Sequence, residues 1–190
     1  MAPATEERVR EIEQLEQELV EKQEKLAEMK RGLPPQDIQD YTLQTQKGPA
    51  KLSDLFGGKP DLIVIHNMGK ACTYCTLWAD GFNGVHQHLE NRAGFVVVSP
   101  DPLDVQREFA ESRGWKFRMA SGKGSTFTGD MGFKGEKGWM PGVSTFYRDK
   151  GKITRVAKAL FGPGDPFCGV WHLLALLKNG PGDWHPKYTY

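Results

Sequence analysis

Two buried-strand patterns with one helical stretch between them constrain the fold of this chain more than any other feature. The runs DLIVIHNM at residues 61–68 and GFVVVSP at 94–100 are apolar along their centres, as expected of strands covered on both faces. Residues 73–92 between them are predicted to form a helix. A strand, a helix and a second strand in this order predict a parallel βαβ unit, which belongs to the α/β class.

The other segments continue this unit on both sides. They predict a strand and a helical turn within residues 41–60, a helix at about 102–114, a short segment WKFRMA, a glycine-rich stretch at 121–142 that is mostly loop, a hairpin formed by VSTFYRD and KITRVAKAL, and an amphipathic helix within PFCGVWHLLALLKN. The tail GDWHPKYTY receives no assignment. This order is that of a thioredoxin-like domain, a central mixed sheet flanked by helices.

A long N-terminal helix is predicted over residues 5–31, because this stretch consists almost entirely of strong helix formers. Its apolar residues Ile12, Leu15, Leu19, Leu26 and Met29 alternate steps of three and four, with Lys22 interrupting. GLPPQ ends the helix. We therefore predict a helical extension at residues 1–36 and a thioredoxin-like domain at 37–190. The apolar seam indicates either packing across the chain's own domain or parallel or antiparallel pairing in a homodimer.

Composition and charge exclude several classes of partner. A net charge of +1 and a pI near 7.7 provide no basic field for nucleic acid or an anionic membrane. No apolar run approaches the ~20 residues that cross a bilayer, and the first residues lack the apolar core of a secretory signal. We therefore expect a cytoplasmic protein, in which three cysteines, two of them a close pair, indicate catalysis or metal binding more than a structural bridge.

The close pair is Cys72 and Cys75, a CxxC motif between the first buried strand and the following helix. A sulfur at a helix N-terminus lies beside unpaired N–H groups and the positive end of the helix dipole, and both favour the thiolate. Cys75, one turn later, lies on the same side of the helix, where it can attack a mixed disulfide formed on Cys72. The motif therefore predicts Cys72 as the nucleophile and Cys75 as the resolving thiol, with no cofactor.

Two other interpretations of these cysteines stay open. Both could be apolar fillers of the core, since free cysteine is often simply buried. Alternatively, Cys168 and His172, four residues apart in the last predicted helix, could complete a Cys3His zinc site with the CxxC pair. Our prediction is that no metal is bound, and that Cys168 is either an auxiliary resolving thiol or part of the core.

The chain resembles the bacterial thioredoxin-like family known as domain of unknown function 899. The segments that carry the resemblance are KLSDLFGGKPDLIVIHNM, CTYCTLWADGFNGVHQHL, FVVVSPDPL, GWKFRMAS, STFTGDMGF and PGVSTFYRDKGKI, which together extend over nearly the whole chain. The Glu/Lys-rich first helix followed by LPP is also typical of that family. The resemblance implies a thioredoxin-like or peroxiredoxin-like sheet, and it implies less about the reaction.

Comparison with thioredoxins and peroxiredoxins shows departures from both. Thioredoxins carry Gly-Pro within the motif and tryptophan before it, whereas here Thr73 and Tyr74 lie within and Trp78 follows. They also place a cis-proline before the strand that faces the cysteines. Here alignment puts Val143 at that position, and we expect Pro141, two residues upstream, to be the cis residue. The threonine-proline stretch and arginine usual before a peroxidatic cysteine are not matched in HNMGKAC.

Two further residues near the motif are candidates for the site. His66, six residues before Cys72, could exchange a proton with the sulfur or be a hydrogen-bonded neighbour, and Trp78 could be a pocket wall or part of the core. Together these observations predict a thiol-disulfide oxidoreductase that acts on a disulfide or peroxide substrate with an unidentified redox partner. The alternatives are a thiol peroxidase or a non-catalytic interaction module stabilised by zinc or a coiled coil.

Overall fold

The computed structural model describes residues 3–190, with side chains from residue 5 onward. The chain divides into two units, Met1–Pro35 and Gln36–Tyr190. The first unit contains one helix, α1 (Pro3–Arg31), where the sequence predicts a helix over 5–31. Gly32 donates a backbone hydrogen bond of 2.8 Å to the Glu28 carbonyl, and the prolines that follow cannot extend the helix.

The second unit contains a large sheet, a small hairpin and five helices among the described residues. Its elements in chain order are β1 (Gln36–Ile38), β2 (Thr42–Thr45), β3 (Gly48–Lys51), α2 (Leu52–Leu55), β4 (Asp61–His66), α3 (Thr73–Arg92), β5 (Gly94–Ser99), α4 (Leu103–Arg113), β6 (Met119–Ser121), α5 (Phe127–Asp130), β7 (Lys134–Gly135), β8 (Gly138–Trp139), β9 (Gly142–Asp149), β10 (Lys152–Leu160) and α6 (Gly169–Ala175). Within residues 3–190 no helix is both long and apolar enough to cross a membrane.

The large sheet has eight strands in the order β1-β10-β9-β4-β5-β6-β2-β3. Its centre is parallel, because β4 pairs with β5 and β5 with β6 in the same direction. The flanking pairs are antiparallel. On one side, β9 pairs with both β4 and β10. This mixed sheet between helices confirms the predicted thioredoxin-like architecture, and the β4-α3-β5 unit lies at its centre.

Successive side chains of the central strands point to opposite faces of the sheet, so the core has two layers. On one face, Leu62 and Val64 of β4 belong to a layer with Phe127 and Phe133. On the other face, Ile63, Ile65, Phe95 and Val97 pack with the α3 residues Trp78 and Phe82. The parallel strands are buried on both faces, which is why their sequences are continuously apolar rather than alternating. Each large apolar side chain buried here contributes roughly 1.5–3 kcal/mol to stability.

The glycine-rich stretch is more ordered than the sequence suggests. It contains α5 and the β7–β8 hairpin, where the sequence predicts mostly loop. The Thr126 hydroxyl donates to the Asp130 carboxylate at 2.6 Å, and the Tyr41 hydroxyl donates to the same group at 2.8 Å. Phe127 is completely buried. Long-range contacts with Tyr41 and the core therefore order a segment whose local pattern is weak.

The last helix is shorter than predicted. The Asp165 carboxylate accepts the backbone N–H groups of Gly162 and Phe167, which holds residues 162–167 in a turn, so that α6 begins only at Gly169. At its other end, the N–H groups of Leu176 and Leu177 bond carbonyls three residues back rather than four. Such tightened turns end a helix, and Leu176 and Leu177 after Ala175 remain exposed.

Candidate active site

Cys72 is the N-cap residue of α3, beyond the carboxyl end of β4. Its backbone is extended, and its Sγ accepts a hydrogen bond of 3.0 Å from the backbone N–H of Cys75. An N-cap side chain is ordinarily the oxygen of Ser, Thr, Asp or Asn, which satisfies one of the unpaired N–H groups of the first turn. Because sulfur takes that place here, Cys72 Sγ lies at the positive end of a twenty-residue helix.

The surroundings of the two cysteines shift their acidities in opposite directions. The pKa of Cys72 is lowered from 9.0 to about 7, chiefly by a hydrogen bond from the Cys75 side chain, with help from the Cys75 and Tyr74 backbone N–H groups against burial. The pKa of Cys75 is raised, because its thiol donates to Cys72, is buried and faces the negative charge on that sulfur. Near neutral pH about half of Cys72 is therefore thiolate, while Cys75 keeps its proton.

The loop before Cys72 is fixed by side chains from the ends of two strands. The Gly69 N–H donates to Asn67 Oδ1 at 2.7 Å, and the Lys70 N–H donates to Asp101 Oδ2 at 2.7 Å. Gly69 has a φ of +102°, and a Cβ there would meet the Asp101 carboxylate oxygens at 2.8 Å. Only glycine fits this position without displacing Asp101, since both the backbone angle and the close approach exclude a side chain.

The C-terminal segment contacts the cysteine turn, which the sequence analysis does not predict. The Tyr188 hydroxyl donates to the Lys70 carbonyl at 2.7 Å, and the Tyr74 hydroxyl is 2.9 Å from Nδ1 of His185. Arg113 holds the Tyr188 carbonyl at 2.6 Å. Burial, followed by the charges of the two cysteines, raises the pKa of Tyr188. The aromatic residues and the histidine of the tail DWHPKYTY are the sequence signal that could have indicated these contacts.

Aromatic side chains form the layer beside the cysteines on the α3 face. Trp78 is buried, with its ring centroid 5.4 Å from that of Phe161 and 6.2 Å from that of Trp171. Tyr74 stacks on Trp171 at 5.9 Å. Cys168 is buried in the same layer, and burial raises the pKa of its thiol. Trp78 and Cys168 thus belong to the apolar support of the motif.

His66 lies in the opposite core layer. Its imidazole stacks on Phe133 with ring centroids 3.9 Å apart, and its Nε2 is 3.0 Å from the Ser144 hydroxyl. Burial, followed by the charge of Arg155, lowers the pKa of His66 from 6.5 to about 3. Because successive residues of β4 face opposite sides of the sheet, His66 joins the layer of Phe133, and the structure does not bring its side chain to Cys72, although the two residues are close in sequence.

The expectation that Pro141 is a cis residue is wrong. No peptide bond within residues 3–190 is cis. The Pro141 carbonyl accepts the Phe161 N–H at 2.9 Å, which continues the ladder formed by Gly142 and Leu160 at the start of β9. The residue therefore enters the strand in the extended trans form that most X–Pro bonds adopt.

The Cys3His set for zinc is not assembled. His172 Nε2 lies 3.0 Å from the Asp165 carbonyl oxygen, and Cys168 packs among aromatic rings. In the described part of the chain, no three His, Cys, Asp or Glu side chains are arranged to hold a metal ion. The spacing of Cys168 and His172 reflects one turn of a short helix rather than a ligand pair.

The second unit also has a cleft that the cysteines do not line. It has a volume of about 580 Å³ and is bounded by the β2–β3 turn, α4 and the segment that leads into β6. Its walls include Leu55, Phe117 and Met119, with Arg107 and Arg118 among the polar residues. Its lining does not include Cys72 or Cys75, so the size of a cavity does not identify the reactive site in this molecule.

The chain was also compared with models of protein families. Residues 5–188 match the family described as bacterial protein of unknown function, DUF899. The chain belongs to this family. A search of curated proteins finds no match.

Solved structures similar to this chain include peroxiredoxins. Peroxidoxin BcpB from Mycobacterium tuberculosis is 25% identical with a TM-score of 0.54, and the match covers 66% of this chain and 84% of that one. A structure of peroxiredoxin Q from Xanthomonas campestris is 15% identical with a TM-score of 0.56, covering 70% and 85%. A peroxiredoxin-like protein from Aquifex aeolicus is 18% identical with a TM-score of 0.53, covering 66% and 74%. These likenesses support the thioredoxin-like fold.

Proposed function

We propose that this protein is a thiol-disulfide oxidoreductase in which Cys72 attacks the substrate and Cys75 resolves the product. One observation carries the proposal: Cys72 Sγ occupies the N-cap of α3 and accepts the Cys75 N–H at 3.0 Å. A hydrogen bond from the Cys75 side chain, aided by the backbone N–H groups at the cap, lowers the pKa of Cys72 to about 7, so that about half of this sulfur is thiolate at neutral pH.

The first step is a thiol-disulfide exchange. The Cys72 thiolate attacks one sulfur of a substrate disulfide, the new S–S bond forms to that sulfur, and the other substrate sulfur leaves as a thiolate. Cys75 then loses its proton to solvent and attacks Cys72 Sγ, which forms the Cys72–Cys75 disulfide and expels the second substrate thiolate. Two electrons pass from the pair to the substrate, and an external dithiol of the redox partner returns them.

The order of these steps follows from what raises the pKa of Cys75. Two of its three leading causes depend on Cys72, namely the hydrogen bond to that sulfur and the charge on it. When Cys72 becomes part of a mixed disulfide, it carries no charge and accepts the proton poorly. The pKa of Cys75 then falls, so that the resolving thiol becomes a nucleophile only after the substrate is bound.

Thiol peroxidase activity is the second candidate, favoured by the structural neighbours. Peroxiredoxins are among them, and a bacterioferritin comigratory protein from Xanthomonas campestris has alkyl peroxide reduction activity. In this reaction the Cys72 thiolate would attack a peroxide oxygen, the O–O bond breaks, and the leaving oxygen takes a proton to give water or an alcohol. Cys75 then condenses with the Cys72 sulfenic acid, releasing water and forming the same disulfide.

Single cysteine variants test both candidates. With a chromogenic aromatic disulfide, Cys75→Ser should keep one substrate thiol bound to Cys72, whereas the unaltered protein should release both thiols and Cys72→Ser should release none. Cys168→Ser is the matched control, and it should behave like the unaltered protein. Equal thiol release from Cys72→Ser would eliminate the proposal. Hydrogen peroxide in place of the disulfide should oxidise Cys72 in Cys75→Ser by one oxygen atom if the second candidate is correct.

The pH dependence of Cys72 alkylation is a further check on the nucleophile. Reaction with iodoacetamide, followed residue by residue by mass spectrometry, should rise with a midpoint near pH 7, because only the thiolate reacts. An unperturbed cysteine would give a midpoint of about 8.5. A Cys72 midpoint at that ordinary value would contradict the proposed activation.

A further inference from the structure

Helix α1 carries an apolar stripe that is exposed along its length. The side chains of the stripe are 51–63% exposed, and they are Ile12, Leu15, Leu19, Leu26 and Met29. They occupy the a and d positions of successive heptads, with Lys22 at the one interrupted d position. A stripe of this width is the seam of a two-stranded coiled coil rather than a broad face for a globular core.

A second helix is the occupant that this seam fits. At 1.5 Å per residue, the 29 residues of α1 extend over about 43 Å. An isolated helix in water gains little from propensity alone and depends on packing of its apolar face. The charges beside the seam identify which helix completes it.

We propose that α1 pairs with α1 of a second copy of this chain, and that the two helices run antiparallel. In an antiparallel coiled coil, a positions of one helix face d positions of the other. A single register aligns all the apolar positions of the seam: Ile12 faces Met29, Leu15 faces Leu26, and Leu19 faces Lys22 of the second copy. The two lysines then lie near the middle of the dimer, where each also has Glu18 of its own helix at 3.3 Å.

The flanking charges favour this orientation. The e and g positions are acidic in the first half of the helix, at Glu11, Glu16 and Glu18, and basic in the second half, at Lys25 and Lys30. Antiparallel pairing sets the acidic half of one helix against the basic half of the other. In the register above, Glu18 faces Lys25 of the second copy, and the two-fold symmetry repeats this pair.

Parallel pairing of the same helix would be repulsive. There each g position faces the e position five residues later in the partner helix, which places Glu11 against Glu16 and Lys25 against Lys30. Each repulsive contact would occur twice by symmetry. Charge therefore disfavours the parallel dimer and leaves the antiparallel one.

Charge reversal at Lys25 separates the two orientations by the sign of its effect. Sedimentation equilibrium of the full-length protein gives the dimer dissociation constant. In the antiparallel dimer, Lys25→Glu sets two glutamates opposite each other twice, which should weaken the dimer about tenfold. In a parallel dimer, the same variant would remove the contact with Lys30 and strengthen association. Glu18→Lys should also weaken the antiparallel dimer about tenfold.

The double variant Glu18→Lys/Lys25→Glu tests whether the two residues face each other. Within one helix these positions are seven residues apart and do not interact, so any local penalties of the two changes add. Cross-helix pairing is restored in the double variant, which should return the dissociation constant to within about threefold of the original value. Glu24→Lys and Arg31→Glu, both at f positions away from the seam, are the matched charge controls and should leave it unchanged.

Three results would overturn the inference. They are a monomer at all concentrations measured, stronger association of Lys25→Glu, and an unchanged dimer in Leu19→Glu, which places a charge in the seam. Circular dichroism of each variant shows whether the second unit keeps its fold, so that loss of the dimer is not mistaken for unfolding.

Discussion

The two cysteines of the motif have opposite acidities because their sulfurs have different surroundings, although only two residues separate them. Cys72 is partly exposed at the N-cap, where N–H groups converge on its sulfur. Cys75 is 1% exposed and donates to its neighbour. The sequence predicts the first environment, since a cap follows from local order of strand and helix. Asp101 and Tyr188, which bond the loop before Cys72, lie 29 and more than 100 residues after it in the sequence. No local sequence pattern predicts these contacts.

The position of His66 shows that closeness in sequence does not predict closeness to Cys72 in the fold. The sequence predicts the strand that carries it, but the side of the sheet depends on which layer the alternating residues join. The imidazole is 1% exposed and stacked on Phe133. Burial lowers the pKa of His66 to about 3, so the folded protein keeps this ring neutral at pH values where the unfolded chain binds a proton.

Replacement of His66 should therefore change how stability depends on pH. Because the folded pKa lies below the unfolded value of 6.5, the full contribution of the neutral ring is present above pH 6.5 and is lost as the pH falls towards 3. The slope from this one group approaches about 1.4 kcal/mol per pH unit between those values. His66→Gln, which can still bond Ser144, should lack this slope. Urea unfolding at pH 4.5–7.5 measures the free energy of unfolding of each protein.

The expected signature is a stability difference between the two proteins that shrinks as the pH falls. Other titrating groups contribute equally to both curves and cancel in the difference. The exposed Gln87, changed to Ala, is the control for a surface substitution without a titrating group, and it should leave the difference independent of pH. A pH-independent difference for His66→Gln would mean that the ring is not held neutral.

At the scale of elements, prediction succeeds where the local pattern is strong. The βαβ unit is recovered because its strands are continuously apolar and its helix has a thiol cap. The strand β1 and the helix α5 are missed because each depends on distant partners. β1 is held by pairing with β10, and Phe127 of α5 is buried against residues remote in sequence. Three or four residues carry too little pattern to predict such elements.

The C-terminal segment is an element without regular structure, and we expect it to limit access to Cys72. Tyr188→Phe removes the hydrogen bond of 2.7 Å to the Lys70 carbonyl. Loss of one such bond, worth about 1 kcal/mol, should loosen the segment about fivefold. Cys72 should then react up to fivefold faster with a protein disulfide, while its reaction with iodoacetamide changes less than twofold. Stopped-flow rates with the large and the small reagent give this ratio.

Tyr147→Phe controls for removal of a tyrosine hydroxyl elsewhere, since Tyr147 is exposed on β9. Its ratio of the two rates should equal that of the unaltered protein. A Tyr188→Phe ratio that also stays unchanged would show that the segment does not restrict large substrates. If both reactions became faster by the same factor, the variant would have changed the reactivity of the Cys72 thiolate rather than the access of large substrates to it.

At the scale of the whole molecule, the sequence predicts the class of sheet but not its full width. Hairpins and the parallel unit follow from local patterns and from the resemblance to DUF899. The join between β2 and β6, made through Gln44 and Ser121, links segments 77 residues apart, and local patterns provide no register for it. The thioredoxin-like fold is therefore predictable from sequence, whereas the place of β2 and β3 at one edge of the sheet is not.

The two units of the chain lead to a prediction about the molecule as a whole. Both core layers consist of residues beyond position 36, and β1 closes the sheet from Gln36 onward. A protein that lacks residues 1–33 should therefore fold, because its core keeps every buried apolar side chain. It should also keep the reactivity of Cys72, since Asn67, Asp101 and Tyr188, whose hydrogen bonds fix the CxxC turn, belong to the second unit. Self-association through α1 should be lost.

Comparison of the shortened and full-length proteins separates these expectations. Urea unfolding should give free energies within about 1 kcal/mol, as expected when no buried contact is removed. The alkylation midpoint of Cys72 should stay near pH 7 in both, because the N-cap geometry that lowers its pKa is local to α3. A shortened protein that folds but loses the lowered midpoint would place part of the activation in the first 33 residues. Sedimentation should give a monomer for the shortened protein, and a dimer there would move the association surface from α1 to the second unit.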